Sequence, residues 1–140
     1  MPGRVLAIDP GTRRVGIALS DESATIASPL QTLAAEPPET LVARLAVLAR
    51  EVGAQQVVVG LPRRLDGTRG PEEAAARALA HELRTALRLP VSLYDERLTS
   101  VAAERGLIDQ GVRRAQRKEV RDKVAAALIL QDFLDRQRKR

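Results

Sequence analysis

The chain contains no cysteine and a single histidine, His81, so thiolate chemistry, disulfides and Cys-type metal sites are excluded, and carboxylates and hydroxyls are left to do any chemistry. Three acids stand out by position. Asp9 closes a short apolar run and is followed by Pro10-Gly11-Thr12, which puts a carboxylate at a strand tip where glycine lets the backbone approach a ligand. Glu96 follows the apolar stretch Val91 to Asp95, at the edge where open α/β sheets place their sites. Asp122 shares a helical stripe with Ala126, Ile129 and Phe133, an unusual place for an acid. Each has a plainer alternative: a turn cap for Asp9, a surface ion pair with Arg97 for Glu96, and a first-turn helix acid favoured by the macrodipole for Asp122. Asp132 and Asp135 fall off the stripe and are expected to be solvated.

The elements that must carry these acids can be read from periodicity. Residues 4–9 and 15–20 form two strands around the Pro10-Gly11 turn, and a third strand over 27–33 completes a meander. Leu41, Leu45, Leu48 and Val52 recur at helical spacing over 39–52, and Gly53 is a natural stop. The continuous Val57-Val58-Val59 run over 56–60 is typical of a strand buried on both faces. Pro71 opens a second helix with Leu79, Leu83 and Leu87 inward, 91–95 is a fifth strand, and 99–110 and 118–137 are two further helices. This order calls for a three-layer α/β fold: a five-stranded mixed sheet, three antiparallel strands first and parallel strands after, flanked by helices. The 140 residues are expected to form one domain, 1–140.

Composition narrows the partners. Hydrophobic residues are 44% and charged residues 29%, a globular balance, and no apolar segment is long enough for a signal peptide or membrane span, so a cytoplasmic protein is the expectation. The net charge of +5 favours a polyanion, with nucleic acid the leading candidate, although Arg enrichment alone would also produce it. Tyr94 and Phe133 are the two aromatic side chains, which argues against a base-stacking platform and for binding through phosphates. Asp-x-Gly-Thr also occurs at the ATP phosphates of sugar kinases, but those folds need two such domains.

Taken together, Asp9-Pro10-Gly11-Thr12-Arg13-Arg14-Val15-Gly16-Ile17-Ala18, Gly60-Leu61-Pro62, Asp95-Glu96-Arg97-Leu98-Thr99-Ser100 and Asp122-Lys123-Val124-Ala125-Ala126 resemble the YqgF/RuvX family over essentially the whole chain. Arg121 stands where an apolar residue is more usual. The resemblance implies a ribonuclease H-like fold and a nuclease related to RuvC, acting at the 5′ end of pre-16S rRNA or, in some members, on Holliday junctions. It also implies Asp9, Glu96 and Asp122 as the catalytic and metal-binding acids. Phosphodiester hydrolysis needs an activated water, a neutralised phosphate oxygen and a stabilised leaving group, which paired divalent ions supply. Hard oxygen donors select Mg²⁺ or Mn²⁺.

Arg13, Arg14, Arg63, Arg64 and Arg97 lie near these motifs and could hold flanking phosphates, or could be ordinary solvated charges. Thr12 and Thr99 suit a turn and a helix cap. Cleavage of a four-way junction would require a homodimer, since it needs two sites related by a two-fold axis. A non-cleaving nucleic-acid-binding module on the same fold is the alternative of a different class.

Overall fold

The computed structural model describes residues 3–63, 66, 68–99 and 114–138, with side chains of 114–121 excepted. Strands β1 (Arg4–Asp9), β2 (Arg14–Ser20), β3 (Ala27–Ala34), β4 (Ala54–Leu61) and β5 (Val91–Asp95) form one sheet in the order β3-β2-β1-β4-β5. The hairpin partners β1, β2 and β3 are antiparallel, whereas β4 pairs parallel to β1 and β5 parallel to β4. Parallel pairing needs a crossover. Helices α1 (Leu41–Glu51) and α2 (Pro71–Leu87) provide the two crossovers.

Side chains alternate between the faces of a strand, so the two faces have separate cores. Leu6, Ile8, Val15, Ile17, Val57 and Val59 meet Leu45 of α1 and Leu79 and Leu83 of α2. Val5, Ala7, Ala18, Val58 and Tyr94 point the other way, onto α3 (Arg114–Arg138), whose buried stripe is Ala125, Ala126, Ile129, Leu130 and Leu134. Helix α1 is too short to persist alone in water, so burial of Leu45, Ala46 and Ala49 is what holds it. Each fully buried Leu or Ile contributes about 1.5–3 kcal/mol.

Helix α3 is anchored at both ends of its contact with the sheet. Near its C-terminus Gln131 accepts from the Ala27 backbone N–H at 2.9 Å and donates to the Thr25 carbonyl at 3.0 Å, locking the β2–β3 turn. Toward its N-terminus the backbone of Asp122 rests on β2 at Gly16. A Cβ there would lie 2.0 Å from the Asp122 carbonyl oxygen and 2.5 Å from its carbon. Only a residue with no side chain fits this approach.

The expected fold is the one observed, with local differences. Strand β4 begins at Ala54, and a 3₁₀ turn, Pro38–Thr40, precedes α1. Helix α3 begins at Arg114, ahead of the expected start at residue 118, because its first turn carries no apolar stripe to mark it. The expected helix over 99–110 falls outside the described residues, apart from Thr99. Among the described residues, no helix is long and apolar enough to cross a membrane.

Because the Gly16 contact is with backbone, Gly16→Ala must push α3 off the sheet rather than rotate a side chain. Urea unfolding should show a loss of about 3 kcal/mol or more, and a loss below about 1 kcal/mol would mean that α3 does not pack as described.

Candidate active site

Asp9 ends the central strand and is 4% exposed. Its antiparallel partner on β2 is Gly16, and the pairing of Ile8 with Val59 sets Gly60 of β4 beside it on the other side. Asp9, Gly16 and Gly60 belong to the face that α3 covers, since they alternate in phase with Ala7, Ala18 and Val58. The carboxylate therefore sits in a trough between two strand positions that carry no side chain.

The other two acids enter this trough from opposite sides. A Cβ on Gly60 would lie 3.4 Å from Glu96 Oε2, 3.5 Å from Asp9 Oδ1 and 3.1 Å from Ile129 Cδ1. Two carboxylates, one ending β1 and one just after β5, thus face a single point above Gly60. Asp122 comes down over Gly16.

Local structure fixes Glu96. It opens a 3₁₀ turn, Glu96–Leu98, capped by Asp95, whose Oδ1 accepts from the Arg97 backbone N–H at 2.9 Å. The Glu96 carbonyl accepts from the Thr99 hydroxyl at 2.9 Å and from the Thr99 N–H at 3.2 Å. Thr99 thus closes the 3₁₀ turn; the helix it was expected to cap lies outside the described residues.

Asp122 lies well inside α3, which removes the reading of it as a first-turn acid stabilised by the helix dipole. Its side chain, 21% exposed, is paired with Arg14, Nε to Oδ2 at 3.4 Å. Among the described residues no three His, Cys, Asp or Glu side chains gather closely enough to hold one metal ion. Asp9 and Glu96 converge, and Asp122 is turned to Arg14.

The arginines divide by what neutralises them. Arg63 donates through Nε to Glu73 Oε1 at 2.7 Å and reaches Asp95 Oδ2 at 3.5 Å. Arg97 donates to both oxygens of Asp95, the shortest contact being 2.9 Å from Nη2. Arg69 adds a second cation to Glu73 at 3.7 Å. The Arg63 guanidinium holds the Glu73 carboxyl below its ordinary range although burial pushes the other way, and Arg97 does the same for Asp95. Arg63 and Arg97 are thus ion-paired within the fold, and are not simply the solvated charges that were the alternative to phosphate binding. Arg13 is exposed, and its side chain has no partner among the described residues. Arg64 lies outside the described residues.

Asp132 is not solvated as expected. It is half-buried and accepts from the Tyr94 hydroxyl and from Arg136 Nε, the latter at 3.0 Å. Burial, with Asp132 beside it, pushes the Tyr94 hydroxyl well above the ordinary phenol range. The Tyr94 ring meets Phe133 edge-on, with centroids 6.0 Å apart. Asp135 accepts from Gln131 at 3.0 Å and from Arg138, and is likewise engaged. Sequence reading also assigned no role to Gly16, Gly60 or Glu73. Glycine inside an otherwise apolar strand was the available signal for the first two.

A family model described as RuvX, Holliday junction resolvase, matches residues 3–136. The chain belongs to the RuvX family. A Chloroflexus aggregans protein named "Putative pre-16S rRNA nuclease" is 49% identical over 134 residues, covering 96% of this chain and 94% of its own. A Roseiflexus protein of the same name is 47% identical over 137 residues, covering 98% and 97%. Among solved structures, RuvC from T. thermophilus in complex with a Holliday junction substrate superposes with a TM-score of 0.60 at 16% identity, over 97% of this chain and 96% of that one. At that identity the likeness is one of fold: this RuvX chain has the sheet and flanking helices of a ribonuclease H-like protein.

The acid network behind Glu96 makes stability depend on pH. Native Glu73 titrates below its unfolded value of 4.5, so its contribution is complete above that value and is lost as the pH falls toward the depressed native one. Arg63→Met, which removes the cause of the depression, should flatten the fall in stability between about pH 5 and 3 in acid-titrated urea unfolding. A limb as steep as wild type would mean that the pair contributes nothing.

Proposed function

We propose that this RuvX-family chain is a metal-dependent endonuclease that hydrolyses phosphodiester bonds in structured nucleic acid, with the 5′ leader of pre-16S rRNA as its substrate class. The observation that carries the reading is the convergence of Asp9 and Glu96 on one point above Gly60. The names of the relatives at 47–49% identity support the substrate class.

The residues fit a hard divalent cation. The donors are carboxylate oxygens, with no sulfur or nitrogen among them, and the missing side chain at Gly60 leaves room in front of two of them. Asp9 and Glu96 would hold Mg²⁺ or Mn²⁺, with Asp122 as the third ligand. Bound there, the cation would supply Lewis acidity toward the phosphate and a water of lowered pKa. The chain's own part is to position. Asp9 is fixed by the end of β1, and Glu96 by a turn closed from both sides by Asp95 and Thr99. Arg13, exposed on the loop after Asp9, is the arginine best placed to take a flanking phosphate. Arg63 and Arg97 keep unused guanidinium N–H groups and form a basic rim beside Glu96.

The family description and the RuvC fold favour a second reading, resolution of four-way DNA junctions. That activity requires a two-fold homodimer to make paired cuts. Under either reading we take the chain as one domain, and an rRNA substrate implies a cytoplasmic location.

With Mn²⁺ present, wild type should cut a pre-16S leader RNA in preference to a four-way DNA junction. Asp9→Asn and Glu96→Gln should each slow cleavage by about a hundredfold or more. Variants as fast as wild type would remove the acids from catalysis, and a preference for the junction would favour the second reading.

A further inference from the structure

Arg14 is the first residue of β2 and lies in phase with Gly16 and Ala18, on the face that α3 covers. The absent side chain at Gly16 brings the Asp122 backbone onto this strand, and the Asp122 carboxylate then meets the Arg14 guanidinium. The contact is an ion pair at 3.4 Å, Nε to Oδ2, yet the buried Nε makes no hydrogen bond. A desolvated guanidinium N–H beside a carboxylate without hydrogen-bond geometry is a weak form of a contact that is strong when aligned. The pair neutralises charge and leaves its best geometry unused. Meanwhile the Asp9 and Glu96 carboxylates face one point above Gly60, whereas the Asp122 carboxylate is turned to Arg14.

We propose that Arg14 is an internal counter-ion that competes with a divalent cation for the Asp122 carboxylate, so that ion binding and release of Arg14 are one event. The inference rests on the reading of Asp9, Glu96 and Asp122 as cation ligands. Arg14 is a positioning residue here, acting through Asp122. Its side chain is 31% exposed, so once released it can move toward solvent at the rim of the site, where a substrate phosphate is the natural replacement for the lost carboxylate. Substrate phosphate and cation would then favour the same state, each by drawing off one member of the pair.

The sign of the effect separates this role from a structural one. If Arg14 merely braced Asp122, its loss would weaken cation binding; if it competes, its loss must strengthen it. MnCl₂ alone should be titrated calorimetrically into the intact wild type, Arg14→Gln, Asp9→Asn, Asp122→Asn and the Arg14→Gln/Asp122→Asn double variant, with thermal unfolding followed with and without Mn²⁺. Arg14→Gln should bind Mn²⁺ about fivefold or more tighter than wild type. It should also melt lower without Mn²⁺ and show a larger Mn²⁺-induced rise in Tm. In the Asp122→Asn background the gain should vanish; a gain that persists in full there would mean simple charge repulsion and overturn the proposal. Arg14→Lys, which keeps the charge but not the Nε contact, guards against an unfolded glutamine variant, and it should fall between wild type and Arg14→Gln. Mn²⁺ binding that Asp9→Asn removes but neither Arg14 variant strengthens overturns the proposal alone. Mn²⁺ that binds neither wild type nor Arg14→Gln overturns the reading of the site, and the proposal with it.

Discussion

The site depends on two strand positions where there is no side chain. Asp9 is a buried carboxylate at the end of the central strand, and what can lie beside it is set by the neighbouring positions on β2 and β4. Gly16 on one side admits the backbone of α3, and Gly60 on the other admits the carboxylate of Glu96. A β-carbon at Gly16 would force α3 off β2, and one at Gly60 would occupy the point that the Asp9 and Glu96 carboxylates face. The strand order then matters, because β2 and β4 are the two neighbours of β1 and each contributes one of these openings.

Electrostatics arranges the surroundings in two zones. The inner zone holds Asp9, Glu96 and Asp122, with Arg14 paired to Asp122. Outside it, Glu73 and Asp95 hold Arg63, Arg69 and Arg97 in a cluster whose positive charges outnumber its negative ones. Acids in this cluster fix the arginines without cancelling them. Fixed arginines lose less conformational freedom on meeting a phosphate than solvated ones would. The net charge of +5 therefore describes the chain less well than its distribution does.

Much of the fold was legible because burial has a period. The alternating or continuous apolar runs of β1, β2 and β4 and the leucine stripes of α1 and α2 follow from which face each element must bury. The start of α3 was not legible, because Arg-Ala-Gln-Arg at residues 114–117 carries no such stripe. Asp132 was misread for a related reason. Helical phase places it off the main stripe, but Tyr94 reaches it from β5, and a single helix's pattern contains no information about a neighbouring strand. The same limit hid the partners of Arg63, since Glu73 lies on α2 and Asp95 comes within reach only once β4 and β5 are adjacent. The three acids themselves could be nominated from sequence, each by a local rule. Their unequal arrangement, two converging and one paired with Arg14, is a property of the assembled sheet and helix.

The proposed cation site is the space above Gly60, between Asp9 and Glu96. Anomalous scattering from Mn²⁺-soaked crystals tests it most directly, since it locates the ion independently of any substrate. A peak is expected within about 2–2.6 Å of carboxylate oxygens from both Asp9 and Glu96. Mn²⁺ bound only elsewhere, with neither carboxylate as a ligand, would contradict it.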